Sequence, residues 1–187
     1  IPKEVIEPKQ IPGTEHVKFV LQINNCKKYE SRRLLQTKTW CQDIPSNVVW
    51  YHVIGDPKLT ECVYKPEEHL LIVPAGDTYE ALPQKVYHSY SFAYKNFPSA
   101  WGLCKVDDDA IVDIPKLFSI MELNKHRHYY GNFVHHKACK NFYGYDIVAD
   151  KSKLPVDGIA TPEIDYVVGG TVYLSMNALS LLASRPE

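Results

Sequence analysis

Three short runs of residues early in the chain constrain its fold more than any other feature. Val17 to Asn24 (VKFVLQIN) is a compact apolar run closed by polar residues, which suits a strand buried on both faces of a mostly parallel sheet. Ser31 to Cys41 follows as a short helix with Ser31 as its N-cap, and Asp43-Ile44-Pro45 breaks it. Val48 to Ile54 (VVWYHVI) is a second β-rich run, stopped by Gly55-Asp56-Pro57. Strand, helix, strand in this order is a βαβ unit.

The pattern continues downstream. Leu70 to Val73 is a short third strand, and Asp77 opens a periodic helical segment to Phe97 with Leu82, Val86, Tyr90 and Ala93 on one stripe. Pro83 falls in its first turn, where proline is tolerated. Trp101 to Val106 is a strand that runs into Asp107-Asp108-Asp109, and Pro115 starts a short helix ending near Leu123. Tyr129 to His135 reads as a strand, Lys151 to Pro162 as polar and turn-rich, Thr171 to Ser175 as a strand and Asn177 to Ala183 as a last helix. Residues 1–16 carry three prolines and no period, so they are an irregular lead-in to one α/β domain over residues 17–187.

The bulk numbers mainly exclude. A formal charge of -1 supplies no global field for nucleic acid or an anionic membrane, so any affinity for phosphate is local. No window approaches the roughly 20 apolar residues of a membrane span. Five cysteines, odd in number and without a C-x-x-C pair, argue against a zinc ribbon and favour free, mostly buried thiols. Histidines 126, 128, 135 and 136 lack a cysteine partner at finger spacing, so a solvated basic turn is favoured over zinc.

The acidic triplet is the candidate site. If the strand stays extended, Asp107 and Asp109 project to one side roughly 7 Å apart. At an effective dielectric of about 20 the pair repels by about 2 kcal/mol, which a divalent cation relieves. In open α/β sheets ligands bind outside the carboxyl ends of strands. Oxygen-only ligands suit Mn²⁺ or Mg²⁺ held by one or two carboxylates, with substrate phosphates completing the shell. A solvated turn or helix cap competes with that reading. The chain has no glycine-rich phosphate loop of either common kind, which leaves a metal and basic side chains to hold a diphosphate. Arg32, Arg33 and Lys85 each sit just after a strand, and Asn24 closes the first one.

Several segments resemble, in order, the β-1,3-galactosyltransferase and Fringe family, glycosyltransferase family 31. Ser31 to Trp40 (SRRLLQTKTW) resembles the family's R-R-x-x-I-R-x-T-W, Val48 to Gly55 its second strand, and Asp77 to Lys85 (DTYEALPQK) its D-x-Y-x-N-L-x-x-K. Cys104 to Val112 (CKVDDDAIV) resembles K-x-D-D-D-x-[FY]-V, and Tyr166 to Ser175 (YVVGGTVYLS) resembles Y-x-x-G-x-G-Y-x-L-S. The resemblance implies a GT-A fold: a Rossmann-like, mixed and mostly parallel central sheet flanked by helices. It also implies an inverting transferase that moves a hexose from a UDP-linked or other nucleotide-sugar donor to a glycan or glycoprotein hydroxyl, with a manganese-type ion.

On that pattern Asp107 and Asp109 hold the metal or its waters, and Asn24, Arg32, Arg33, Lys85, Asp107 and Asp108 face the donor. Tyr166, Gly169 and Gly170 form a loop beneath the donor sugar and acceptor. The sequence departs from the pattern at Thr37, in place of an arginine, at Ala81, in place of an asparagine, and in keeping only two glycines of the loop. The family's E-D-V-x-x-G segment, with its catalytic base, is expected beyond Glu187 or beginning there, so the domain is expected to be truncated at its C-terminal end. A cytoplasmic enzyme and a trimmed Golgi-lumenal one fit equally. The competing readings are a non-catalytic sugar-binding module, which would bind glycan without nucleotide or metal, and a phosphatase-like domain, for which no nucleophile or second metal cluster is found.

Overall fold

A computed structural model describes residues 7–142 and 159–184. The expectations for residues 1–6, for residues 151–158 of the turn-rich stretch and for Glu187 lie outside the described residues.

Nine strands and four α-helices are described. The strands are β1 (Phe19–Asn24), β2 (Val48–Gly55), β3 (Val63–Lys65), β4 (Leu70–Val73), β5 (Gly102–Asp107), β6 (Tyr129–His136), β7 (Cys139–Phe142), β8 (Ile159–Thr161) and β9 (Ile164–Ser175). The helices are α1 (Glu30–Lys38), α2 (Leu82–Asn96), α3 (Ile114–Leu123) and α4 (Met176–Ala183). The main sheet has seven strands in the order β3-β4-β2-β1-β5-β9-β6, and β7 pairs with β8 apart from it.

Strands β4, β2, β1 and β5 are parallel, and antiparallel pairs extend the sheet at both ends, β3 on β4 and then β9 and β6 beyond β5. This is the mixed, mostly parallel α/β sheet with flanking helices expected of a GT-A fold. Crossovers through α1 and α2 join β1 to β2 and β4 to β5, while β2 reaches β4 through the edge strand β3.

Alternation along β1 divides the core in two. Phe19, Leu21 and Ile23 pack on one face with Trp40, Cys41, Trp50, Ile114 and Met121. Val20 packs on the other with Tyr51, Val53, Ala93 of α2, Phe97 just after that helix and Leu179 of α4. Strand β5 repeats the division, with Cys104 and Val106 on the first face and Leu103 on the second. Gln22, Asn24, Lys105 and Asp107 therefore belong to the second face, two residues apart on adjacent strands. The register sets Gln22 beside Lys105 and Asn24 beside Asp107.

Several element boundaries differ from the sequence reading. Helix α1 starts at Glu30 after a 3-10 turn over Lys27–Tyr29, so Ser31 is inside the helix and its cap, Tyr29, makes no side-chain bond. Helix α2 starts at Leu82, because Asp77 is bound elsewhere and Pro83 suits the first turn. Asp113 caps α3, its carboxylate accepting from the Lys116 N–H at 3.0 Å. Strand β3, three residues long and partly exposed, gave no apolar run to read.

The largest correction concerns Tyr166, Gly169 and Gly170, expected in a loop. All three lie within the twelve-residue strand β9. Its pairing with β6 slips between Gly131 and Phe133: Gly131 faces Val172 while Phe133 faces Val167. The glycines fall where the pairing with β6 slips and just before the pairing with β5 begins at Thr171, so they form an irregular, bulged segment of the strand.

Cys26, Cys41, Cys62 and Cys104 are free thiols. Burial pushes the thiols of Cys41 and Cys104 up to about 12 and that of Cys62 to about 11, as expected of packed, inert side chains.

Candidate donor-binding cleft

At the carboxyl ends of β1 and β5 the parallel strands open into a cleft of about 300 Å³. Asn24, Asn25 and Cys26 come from the end of β1, with Tyr29 just after. Asp77, Thr78, Tyr79, Leu82 and Lys85 come from the approach to α2 and its first turn. Asp107, Asp108 and Asp109 form the third wall.

The acidic triplet is not extended throughout. Asp107 ends β5, and Asp108 and Asp109 turn immediately, with the Ala110 N–H donating to the Asp107 carbonyl at 3.2 Å. The parallel projection expected for an extended triplet is lost because this turn redirects the chain toward α3. The three carboxylates have different partners. The Lys105 ammonium lies 2.6 Å from Asp107 Oδ1, and Arg32 Nη1 lies 3.1 Å from Asp108 Oδ1. Asp109 is exposed, and its carboxylate forms no hydrogen bond or ion pair among the described residues. Burial holds the Asp108 carboxyl above its ordinary range; Arg32 opposes the shift, and Asp109 and Asp107 add to it.

Two amides point to a ligand. Asn24 and Asn25 are 6% and 3% exposed, and the Nδ2 of each is buried without a hydrogen-bond partner. Each has its oxygen engaged, Asn24 Oδ1 by Gln22 Nε2 at 2.8 Å and Asn25 Oδ1 by the Cys26 N–H at 2.7 Å. A buried unpaired donor costs about 1–3 kcal/mol, and both residues line the cleft, where polar ligand oxygens would satisfy them.

The basic candidates divide. Lys85 lines the cleft but is buried and bound, donating to the Asn25 carbonyl at 2.6 Å and to Asp77 Oδ1 at 3.0 Å. Arg32 lies over the Tyr29 ring, 4.1 Å from its centroid, as well as beside Asp108. Arg33 does not line the cleft; it bonds Glu30 at 3.2 Å on its own helix. Gly170 follows the Asp107 level on β9, since Thr171 pairs with Val106. Tyr166 pairs with Val134 farther out and does not line the cleft.

Three side chains that contact cleft residues escape the sequence reading. Gln22, Lys105 and Asp77 are each quoted within a motif, yet none was singled out. The signal for the first two was available: VLQIN and LCKVD each place a polar residue inside an apolar strand, two positions before the residue at the cleft.

The unpaired carboxylate of Asp109 and the second carboxylate oxygen of Asp107 stand at the cleft wall, where a divalent cation could use them. No group of three or more His, Cys, Asp or Glu side chains is placed to hold a metal among the described residues. The donor set thus fits a hard divalent cation whose remaining ligands come from water and a substrate diphosphate.

No helix among the described residues is long and apolar enough to cross a membrane. No curated protein matches the chain. The sequence model of the family described as galactosyltransferase matches residues 31–185, a span from the start of α1 past the end of α4 that holds every cleft residue except those from the end of β1 through Tyr29. The chain therefore belongs to the galactosyltransferase family, which makes it a glycosyltransferase working between a nucleotide-sugar donor and an acceptor.

Proposed function

We propose that this protein transfers a hexose of the galactose, glucose or N-acetylglucosamine class from a UDP-sugar to a hydroxyl of a glycan or glycoprotein. We assign the reaction to the metal-dependent, inverting type. The observation that carries the reading is the meeting, in one cleft, of the unpaired Asp109 carboxylate with the unpartnered buried amides of Asn24 and Asn25.

Asp107 and Asp109 would hold Mn²⁺ or Mg²⁺. When bound, the cation supplies charge that stabilises the departing diphosphate. Asn24 and Asn25 donate to oxygens of the nucleoside. Arg32, at the cleft rim and already stacked on Tyr29, stands near enough to the triplet to meet a phosphate if it leaves Asp108. Lys85 acts indirectly, by fixing the Asn25 carbonyl and Asp77 so that the β1 end keeps its shape. The bulge at Gly169 and Gly170 lies beside Asp107 and leaves room for the donor sugar.

The test is a screen of UDP- and GDP-sugars for release of free nucleotide with and without Mn²⁺. UDP release that requires manganese and stops on chelation is the expected result. Glycan binding that needs neither nucleotide nor metal, with no release from any donor, would make the protein a sugar-binding module.

A further inference from the structure

Lys105 is a lysine inside the sheet. Its side chain is 8% exposed, against 36% for Asp107, so the ammonium sits behind the carboxylate and the carboxylate faces the cleft. Both project from the same face of β5, two residues apart. The ammonium forms an ion pair with Asp107, 2.6 Å from its Oδ1, and donates to the Gly169 carbonyl in the β9 bulge. Neighbouring β1 presents Gln22 at the same level, fully buried.

An ammonium held this way stays in place. It is enclosed by the sheet between one ion-pair partner and one hydrogen-bond acceptor, and water, its alternative partner, is largely excluded. Asp108 is paired with a second cation, the exposed Arg32, at 3.1 Å. Three carboxylates and two cations leave one uncompensated negative charge on the triplet, which resides on Asp109. A divalent cation that arrives without nucleotide therefore meets one free carboxylate and a fixed positive charge behind the next. A diphosphate brought in with the cation adds the missing anionic oxygens and offsets that repulsion.

We propose that Lys105 is a positioning residue that acts as a built-in counter-charge to Asp107, so that the metal binds weakly on its own and enters together with the nucleotide diphosphate. The proposal rests on Asp107 and Asp109 being the metal ligands. It concerns the order of binding, which that assignment leaves open.

The experiment is calorimetric titration of Mn²⁺ into the wild-type protein and the Lys105→Met, Lys105→Arg and Asp109→Asn variants, each with and without saturating UDP. Thermal unfolding checks that each variant is folded. In the wild type UDP is expected to tighten manganese binding by at least about tenfold, the scale of one nearby unit charge in a partly solvated site. In Lys105→Met that ratio should collapse toward one, because manganese binds more tightly without UDP. Lys105→Arg, which keeps the charge, should behave as the wild type.

A Lys105→Met protein that keeps the wild-type ratio overturns the proposal, as does a Lys105→Arg protein that loses it. If Lys105→Met does not fold, Lys105→Gln, which removes the charge but keeps a polar side chain, carries the test; it should bring the ratio toward one, and an unchanged ratio overturns the proposal. If Asp109→Asn retains UDP-linked manganese binding, the metal assignment itself fails, and the proposal with it. That outcome is distinct from a wild-type response that ignores Lys105.

Discussion

The Lys85 ammonium lies 3.0 Å from Asp77 Oδ1, and the same carboxylate gathers the backbone of two other segments. Asp77 Oδ1 accepts from the Gly55 N–H at 2.8 Å and Oδ2 from the Lys27 N–H at 2.6 Å. One side chain thus ties the end of β2, the turn after β1 and the first turn of α2. Lys85 is 4% exposed and Asp77 16%, so removing either partner strands a poorly solvated charge. Lys85→Met and Asp77→Ala should each lose about 3–5 kcal/mol in urea unfolding at neutral pH without ligand. A loss below about 1 kcal/mol would mean that the pair behaves as a solvated one.

His52, fully buried in β2, should make the fold acid-sensitive. Burial lowers its pKa from 6.5 to about 3, helped by Arg33 and His69, and its Nε2 shares a 3.1 Å hydrogen bond with Thr37. The folded state refuses a proton that the unfolded chain accepts. The contribution is therefore complete above pH 6.5 and is lost as pH falls from 6.5 toward about 3, by at most about 1.4 kcal/mol per unit. Between pH 6.5 and 5 carboxylates stay largely ionised, so His52→Gln should show a shallower slope of stability against pH than the wild type in that window. Equal slopes would contradict a neutral buried imidazole.

Two glycines make opposite predictions. A Cβ on Gly55 would stand 2.4 Å from the Gly76 carbonyl oxygen and 2.6 Å from that of Ala75, both backbone atoms that cannot swing aside. Gly55→Ala should cost about 1–3 kcal/mol or more by overpacking. A Cβ on Gly170 meets nothing within 4 Å, so Gly170→Ala should leave the melting temperature unchanged. With the donor sugar placed over the bulge, it should still lower turnover. Thermal unfolding and a donor-hydrolysis assay on the two variants separate the effects.

The sequence made the central strands legible because the parallel strands are buried on both faces, so that β1, β2, β4 and β5 are apolar runs of the right length. Its blind spots have specific causes. Strand β3 is short and exposed at an edge. Strand β9 carries two glycines in its middle, which punctuate a sequence as a loop does, and only pairing with β5 and β6 on either side reveals a strand. At the site, Asp107 to Asp109 stood out because charge is rare after an apolar run. What each carboxylate touches depends on Lys105 inside the strand and on Arg32, 76 residues away from Asp108, a pairing that no local pattern encodes. Arg33 looked equivalent to Arg32 in sequence; the turn of α1 sends one to the triplet and the other to Glu30.

The most direct measurement is calorimetry of UDP binding to the wild-type and Asp109→Ala proteins, with Mn²⁺ present and after chelation. Asp109 is exposed and unpaired, so its removal should leave the melting temperature unchanged while abolishing the manganese-dependent part of UDP affinity. UDP affinity that still rises with manganese in the Asp109→Ala protein would contradict the assignment of the acidic triplet to the donor's metal.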